Sequence, residues 1–164
     1  MGRGRLTVRV AGLSTLPRAA RRSALYAQAV RRAFALEKSR LGGEVAAIFV
    51  TRSKMRALNR QFLGHDYDTD VITFSHDPLP GIPSGERPLG DIYISGWMAA
   101  RQARELGHTV TREAVTLVAH GALHLLGHDD HAPRDKARMF RRQDKILAAL
   151  SAGLPTHRAN STKH

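Results

Sequence analysis

The chain has 164 residues, 42% of them hydrophobic, a length that suits one domain with a real core. It has no cysteine, which excludes disulfides, thiolate zinc fingers and thiol nucleophiles and leaves histidine and carboxylate as the strong metal ligands. Twenty-six Lys and Arg stand against 14 Asp and Glu, a net charge of +12, and an excess of that size favours a polyanionic partner.

Taken in order, Leu6 to Val10 alternates apolar and polar residues, as a half-buried strand does. From Ser23 to Lys38, Leu25, Ala29, Val30, Ala33 and Phe34 recur at helical spacing, with arginines on the other faces. Glu44 to Val50 is apolar enough for an interior strand. Thr51 or Ser53 suits the cap of the next helix, whose stripe of Met55, Leu58 and Phe62 is expected in the core. A polar turn with His65, Asp66, Asp68 and Asp70 follows. Its carboxylates have two uses open to them, lining a cleft or bonding their own backbone.

Val71 to Ser75 is a third strand and Asp91 to Ser95 a fourth, separated by a Pro- and Gly-rich excursion from His76 to Leu89. Helices are expected from Trp97 to Leu106, from Thr111 to Leu126, and from Pro133 to about Ala152. The last has Met139, Phe140, Ile146 and Leu147 on its inner face and carries Arg134, Lys136, Arg138, Arg141, Arg142 and Lys145, a surface suited to phosphates. Residues 61–100 hold only Arg87 against six acids, so the positive charge sits on the flanking segments. No apolar run approaches a membrane span and no signal-peptide core is seen, so a cytoplasmic protein is expected. Residues 1–150 are expected as one domain and residues 151–164 as a disordered tail.

Four of the nine histidines fall between His120 and His131. Side chains four apart lie on one helix face, so His120 and His124 aim two imidazoles at one point. The helix around them is apolar, and two unpaired buried imidazoles would be costly. Gly127 is suited to end the helix in the left-handed conformation and return Asp129, Asp130 or His131 to the same point. Two imidazoles, a third side chain and a position left for water describe a catalytic zinc site. A metalloprotease would need Glu directly after the first histidine, where this chain has Gly121. Metal-assisted phosphodiester cleavage with cationic groups holding phosphate is the better fit.

The motifs His120-Gly-x-Leu-His124-Leu-x-Gly127, Leu58-Asn59-x-x-Phe62, Asp66-x-x-Thr69-Asp70-Val71-x-x-Phe74 and Gly90-Asp91-Ile92-x-Ile94-Ser95 occur in the order found in the YbeY family of bacterial ribosomal RNA maturation factors, which the chain resembles from about Leu58 to His131. The resemblance implies an α+β fold, a mixed sheet of about four strands packed with about five helices, with a metal site at the end of a central helix. It implies a zinc-dependent, single-strand-specific endoribonuclease, one zinc ion per chain, in ribosomal RNA processing and ribosome quality control. Single-stranded or ribosomal RNA and the small ribosomal subunit are the implied partners.

In the usual family pattern the third ligand is a histidine six positions after the second. Here that position is Asp130, the first choice, with His131 as the alternative. Leu63 stands where the family more often has an arginine, and His65 in the same loop is the expected residue for proton transfer or for supporting the site. A branch of the family has Leu-x-His-Asp in this loop together with an Asp closing the metal motif. The rival function is a ribosome-assembly factor that binds RNA without cutting it around a structural metal, which a fourth protein ligand, His128 or His131, would close.

Overall fold

The structure is a computed structural model that describes residues 4–77, 81 and 86–154. The strands are β1 (Leu6–Ala11), β2 (Gly43–Val50), β3 (Val71–Ser75) and β4 (Pro88–Ser95), and they form one mixed sheet in the order β1-β2-β4-β3. β1 with β2 and β2 with β4 are parallel, while β3 closes the edge antiparallel to β4, with Val71 opposite Ile94. The helices are α1 (Ser23–Leu36), α2 (Arg52–Leu58), α3 (Gly96–Leu106), α4 (Val110–Leu125) and α5 (Pro133–Ala149). This is the α+β architecture expected from the sequence, with four strands and five α-helices among the described residues.

The period-2 pattern of β2 and β4 sends Val45, Ala47, Phe49, Ile92 and Ile94 to one face of the sheet, where they meet the apolar faces of α1 and α4 in the main core. The opposite face is covered by α2, through Val50, Met55, Leu58 and Ile72. Thr51, not Ser53, caps α2, its hydroxyl accepting from the Lys54 amide. α4 is central: Ala114, Val115, Val118, Ala119, Ala122 and Leu123 are wholly buried, and its neighbours include α1, α3, α5 and the sheet. Thr109 caps its N-terminus.

The chain departs from the expected pattern in three places. Phe62 is 55% exposed instead of in the core, because after Leu58 the helix widens into a π turn over Asn59–Leu63. The wider turn breaks the 3.6-residue stripe, buries Asn59 and leaves Phe62 edge-on to Phe74. Phe140 is 43% exposed and not on the inner face of α5; its ring lies 6.4 Å from that of His120. Its neighbour Gln143 is buried instead. α5 ends at Ala149, Ser151–Gly153 form a further turn, and Leu154, within the expected tail, is buried against the core. Residues 155–164 lie outside the described residues, as do 78–80 and 82–85 of the expected excursion.

Candidate metal centre

α4 carries His120 and His124 one turn apart at its C-terminal end, and the way the helix stops decides what they face. The His128 amide donates to the Leu123 carbonyl at 3.0 Å and the Gly127 amide to the His124 carbonyl at 3.0 Å. That double closure requires a left-handed residue at its corner, supplied by Gly127 with φ +95°. The chain then doubles back, so that the carbonyl oxygen of His128 accepts from His124 Nδ1 at 2.9 Å and Asp130 arrives beside both imidazoles.

His120 Nε2 and His124 Nε2 are 3.1 Å apart. Asp130 Oδ2 lies 3.4 Å from the first and 3.7 Å from the second. On the far side of its ring, His120 donates from Nδ1 to Gln143 Oε1 at 3.0 Å, a contact made across to α5. With both Nδ1 atoms donating to oxygen, both Nε2 atoms present lone pairs to the same point. Burial, reinforced by the neighbouring His124, holds the His120 imidazole below its usual pKa and hence neutral. Two lone pairs and a carboxylate oxygen facing one another repel unless a cation lies between them. Ligands about 2.0–2.1 Å from a tetrahedral zinc are separated by about 3.4 Å, and these three atoms lie 3.1, 3.4 and 3.7 Å apart. The donor set therefore fits a zinc ion.

The residue after His120 explains the absence of a protease-type glutamate. A Cβ on Gly121 would stand 2.4 Å from Ile92 Cγ2 and 3.2 Å from Thr73 Cγ2, so α4 lies against the sheet at the one position a glutamate would occupy. A general base cannot be presented from there.

A family model described as Endoribonuclease YbeY matches residues 15–151. The chain belongs to the endoribonuclease YbeY family. It is 37% identical over 144 residues to the endoribonuclease YbeY of Lysinibacillus sphaericus, with 82% of this chain and 90% of that one aligned. The YbeY of Pelotomaculum thermopropionicum is 40% identical over 110 residues, covering 66% and 72% of the two chains. The Myxococcus xanthus YbeY is 41% identical over 116 residues, 71% of this chain but only 40% of that longer protein. Among solved structures, a solution structure from Thermotoga maritima superposes with a TM-score of 0.59 at 26% identity, covering 96% of this chain and all of that one.

Within this YbeY chain the expected site residues divide. His120, His124 and Asp130 form one group whose ligand atoms all lie within 4.8 Å of one another. His131 is outside it: its ring is 90% exposed and 3.6 Å from Asp129 Oδ1. His128 turns away, with Nε2 2.9 Å from Glu37 Oε1. His65 is exposed and stacks on Tyr67 with ring centroids 5.0 Å apart; it is not in the group. Asp66 pairs with Arg56 and Asp68 with Arg52, whose guanidinium holds the Asp68 carboxyl below its usual range. Of the three loop carboxylates Asp70 alone reaches the centre's surroundings, bonding the Val71 amide and Gln102.

Asp70 and Gln102 line a chamber of about 160 Å³ together with Glu113, Thr116, His120 and Gln143. Glu113 is buried, and its carboxyl is raised above the usual range by desolvation, with His108 Nδ1 at 3.7 Å as partial compensation. Gln143 and Glu113 were not legible as site residues. The available signal was weak: Gln143 sits one turn from Met139 and one short of Leu147, a polar residue on an apolar stripe.

Proposed function

We propose that this chain is a zinc-dependent, single-strand-specific endoribonuclease of ribosomal RNA processing and ribosome quality control, working in the cytoplasm on RNA of the small ribosomal subunit. His120, His124 and Asp130 are its metal ligands, with one zinc ion per chain, in a single domain. The observation that carries the reading is the three-donor group itself. Among the described residues it brings three donors together, while the His128 ring faces Glu37 and the His131 ring is exposed beside Asp129, and a site with an open position is the catalytic kind. Family membership supports RNA as the substrate, and the charge of +12 supports a polyanion. No described helix is long and apolar enough to cross a membrane.

Zinc in this position would supply Lewis acidity at the phosphodiester and favour ionisation of the attacking water. The residues of the chain orient and tune. Gln143 and the His128 carbonyl hold the two imidazoles in the tautomer that offers Nε2, and Phe140 covers one side of His120. Gly121 leaves proton transfer to other positions, with His65 and the chamber carboxylates Asp70 and Glu113 as the residues to test.

The test is metal analysis of the purified protein combined with cleavage of a labelled single-stranded RNA, for wild type, His124→Ala and Asp130→Ala. One zinc per chain and cleavage in wild type, both lost in the variants, is the expected result. Zinc and RNA binding retained without cleavage in any form would establish instead a non-cleaving assembly factor with a structural metal.

A further inference from the structure

α1 and α5 lie alongside each other in opposite directions. Glu37, at the end of α1, is 3.7 Å from Arg142 of α5, while Arg22, before α1, donates to the carbonyl of Gly153, beyond α5, at 2.8 Å. The trough between them is a row of three clefts, the second and third sharing Arg32, Ala35 and Ala149. It begins with a cleft of about 410 Å³ behind the Gly127–Asp129 turn, passes Arg32 and Lys145 at about 270 Å³, and opens to about 520 Å³ between Arg22, Arg31 and Gly153. Fifteen residues of helix separate the two ends, a length of about 22 Å.

The cations of this trough differ from those around α2. Around α2 the arginines face carboxylates of the following loop, Arg52 pairing with Asp68 while Arg56 and Arg60 share Asp66. In the trough, Arg22, Arg31, Arg32 and Lys145 have no carboxylate within 4.0 Å among the described residues. Arg22 and Arg31 are nonetheless held in place, by the carbonyls of Gly153 and Leu6, which fix a guanidinium without cancelling its charge. Leu25, Ala35 and Ala149 give the floor no competing polar groups. At the end nearest the metal centre, Glu37, Asp129 and Asp135 offset Arg138 and Arg142. Within the trough, the unpaired cations therefore lie towards the end away from the centre.

We propose that the α1–α5 trough is the track for the sugar-phosphate backbone of a single-stranded RNA whose cleaved segment lies at the metal centre, with Arg22, Arg31, Arg32 and Lys145 as phosphate contacts. The proposal rests on the RNA-cleaving reading above. Long strands reach the distal cations and short ones do not, so affinity must rise with strand length.

The experiment measures binding of labelled oligouridylates of about 4 and about 16 nucleotides by fluorescence anisotropy on the full chain, between about 50 and 200 mM salt. Wild type is compared with Arg32→Gln/Lys145→Gln, two side chains with no hydrogen bond or ion pair among the described residues, and with Arg104→Gln on α3 as control. The expected result is tighter binding of the long strand by wild type and control. In the double variant the slope of log K against log salt is shallower by about 1.4, from two lost single-strand phosphate contacts. Its zinc content and short-strand binding are those of wild type. Identical long-strand binding by wild type and the double variant, with cleavage intact, overturns the track and leaves the nuclease standing. Wild type that binds neither strand overturns both. Binding to phosphatidylserine vesicles through these cations, without length-dependent RNA binding, also overturns the track.

Discussion

His124 Nδ1 donates to the carbonyl oxygen of His128 across the Gly127 turn, so the end of one helix both aims the His124 ring and returns the chain to deliver Asp130. Gly127→Ala forces a side chain into φ +95°, which costs about 1 kcal/mol or more. The expected outcome is a small loss of stability in urea melts together with weaker zinc binding in chelator competition. A variant as stable as wild type with unchanged zinc affinity would mean that the turn does not support the site.

Gln143 supports the other imidazole from a different helix. Gln143→Leu keeps the volume and removes the acceptor for His120 Nδ1. Zinc affinity should fall by about 10–100-fold, the usual consequence of losing such a partner. The melting transition of the zinc-free protein should change little, and the comparison of the two readouts separates support of the metal from general packing.

Gly121 is fixed by packing. Gly121→Ala gains up to about 1 kcal/mol of helix propensity and incurs about 1–3 kcal/mol of overpacking, because the added Cβ stands 2.4 Å from Ile92 Cγ2. The net effect is destabilisation, read as a lower urea midpoint. A midpoint above wild type would show that α4 can lift from the sheet without cost.

Glu113 is buried with its carboxyl raised. A raised carboxyl contributes stability below the unfolded-state pKa, and that contribution is lost as pH rises through the folded value. Glu113→Gln removes the ionisation. Relative to wild type, the variant should gain in urea midpoint between pH 4 and pH 8. A relative loss over that range would show that the ionised carboxylate and His108 form a stabilising pair.

What the sequence alone determined was local. The alternation in β1, the stripe of α1, the i and i+4 histidines and the glycine after them are written in neighbouring residues, because helix and strand periods and the left-handed turn are properties of a few consecutive dihedrals. Family motifs pointed to Asp130, which the fold brings beside the two histidines. Tertiary structure decided what depends on distant segments meeting. Gln143 reaches His120 from 23 residues away on another helix. Asp66 and Asp68 could have served a cleft, and it is Arg52 and Arg56 across the loop that engage them. The π turn that exposes Phe62 and the neighbours that bury Glu113 leave no periodic trace. The sheet order and the α1–α5 trough arise from packing of whole elements, and packing energy depends on which faces meet, information that no single stretch of the chain carries.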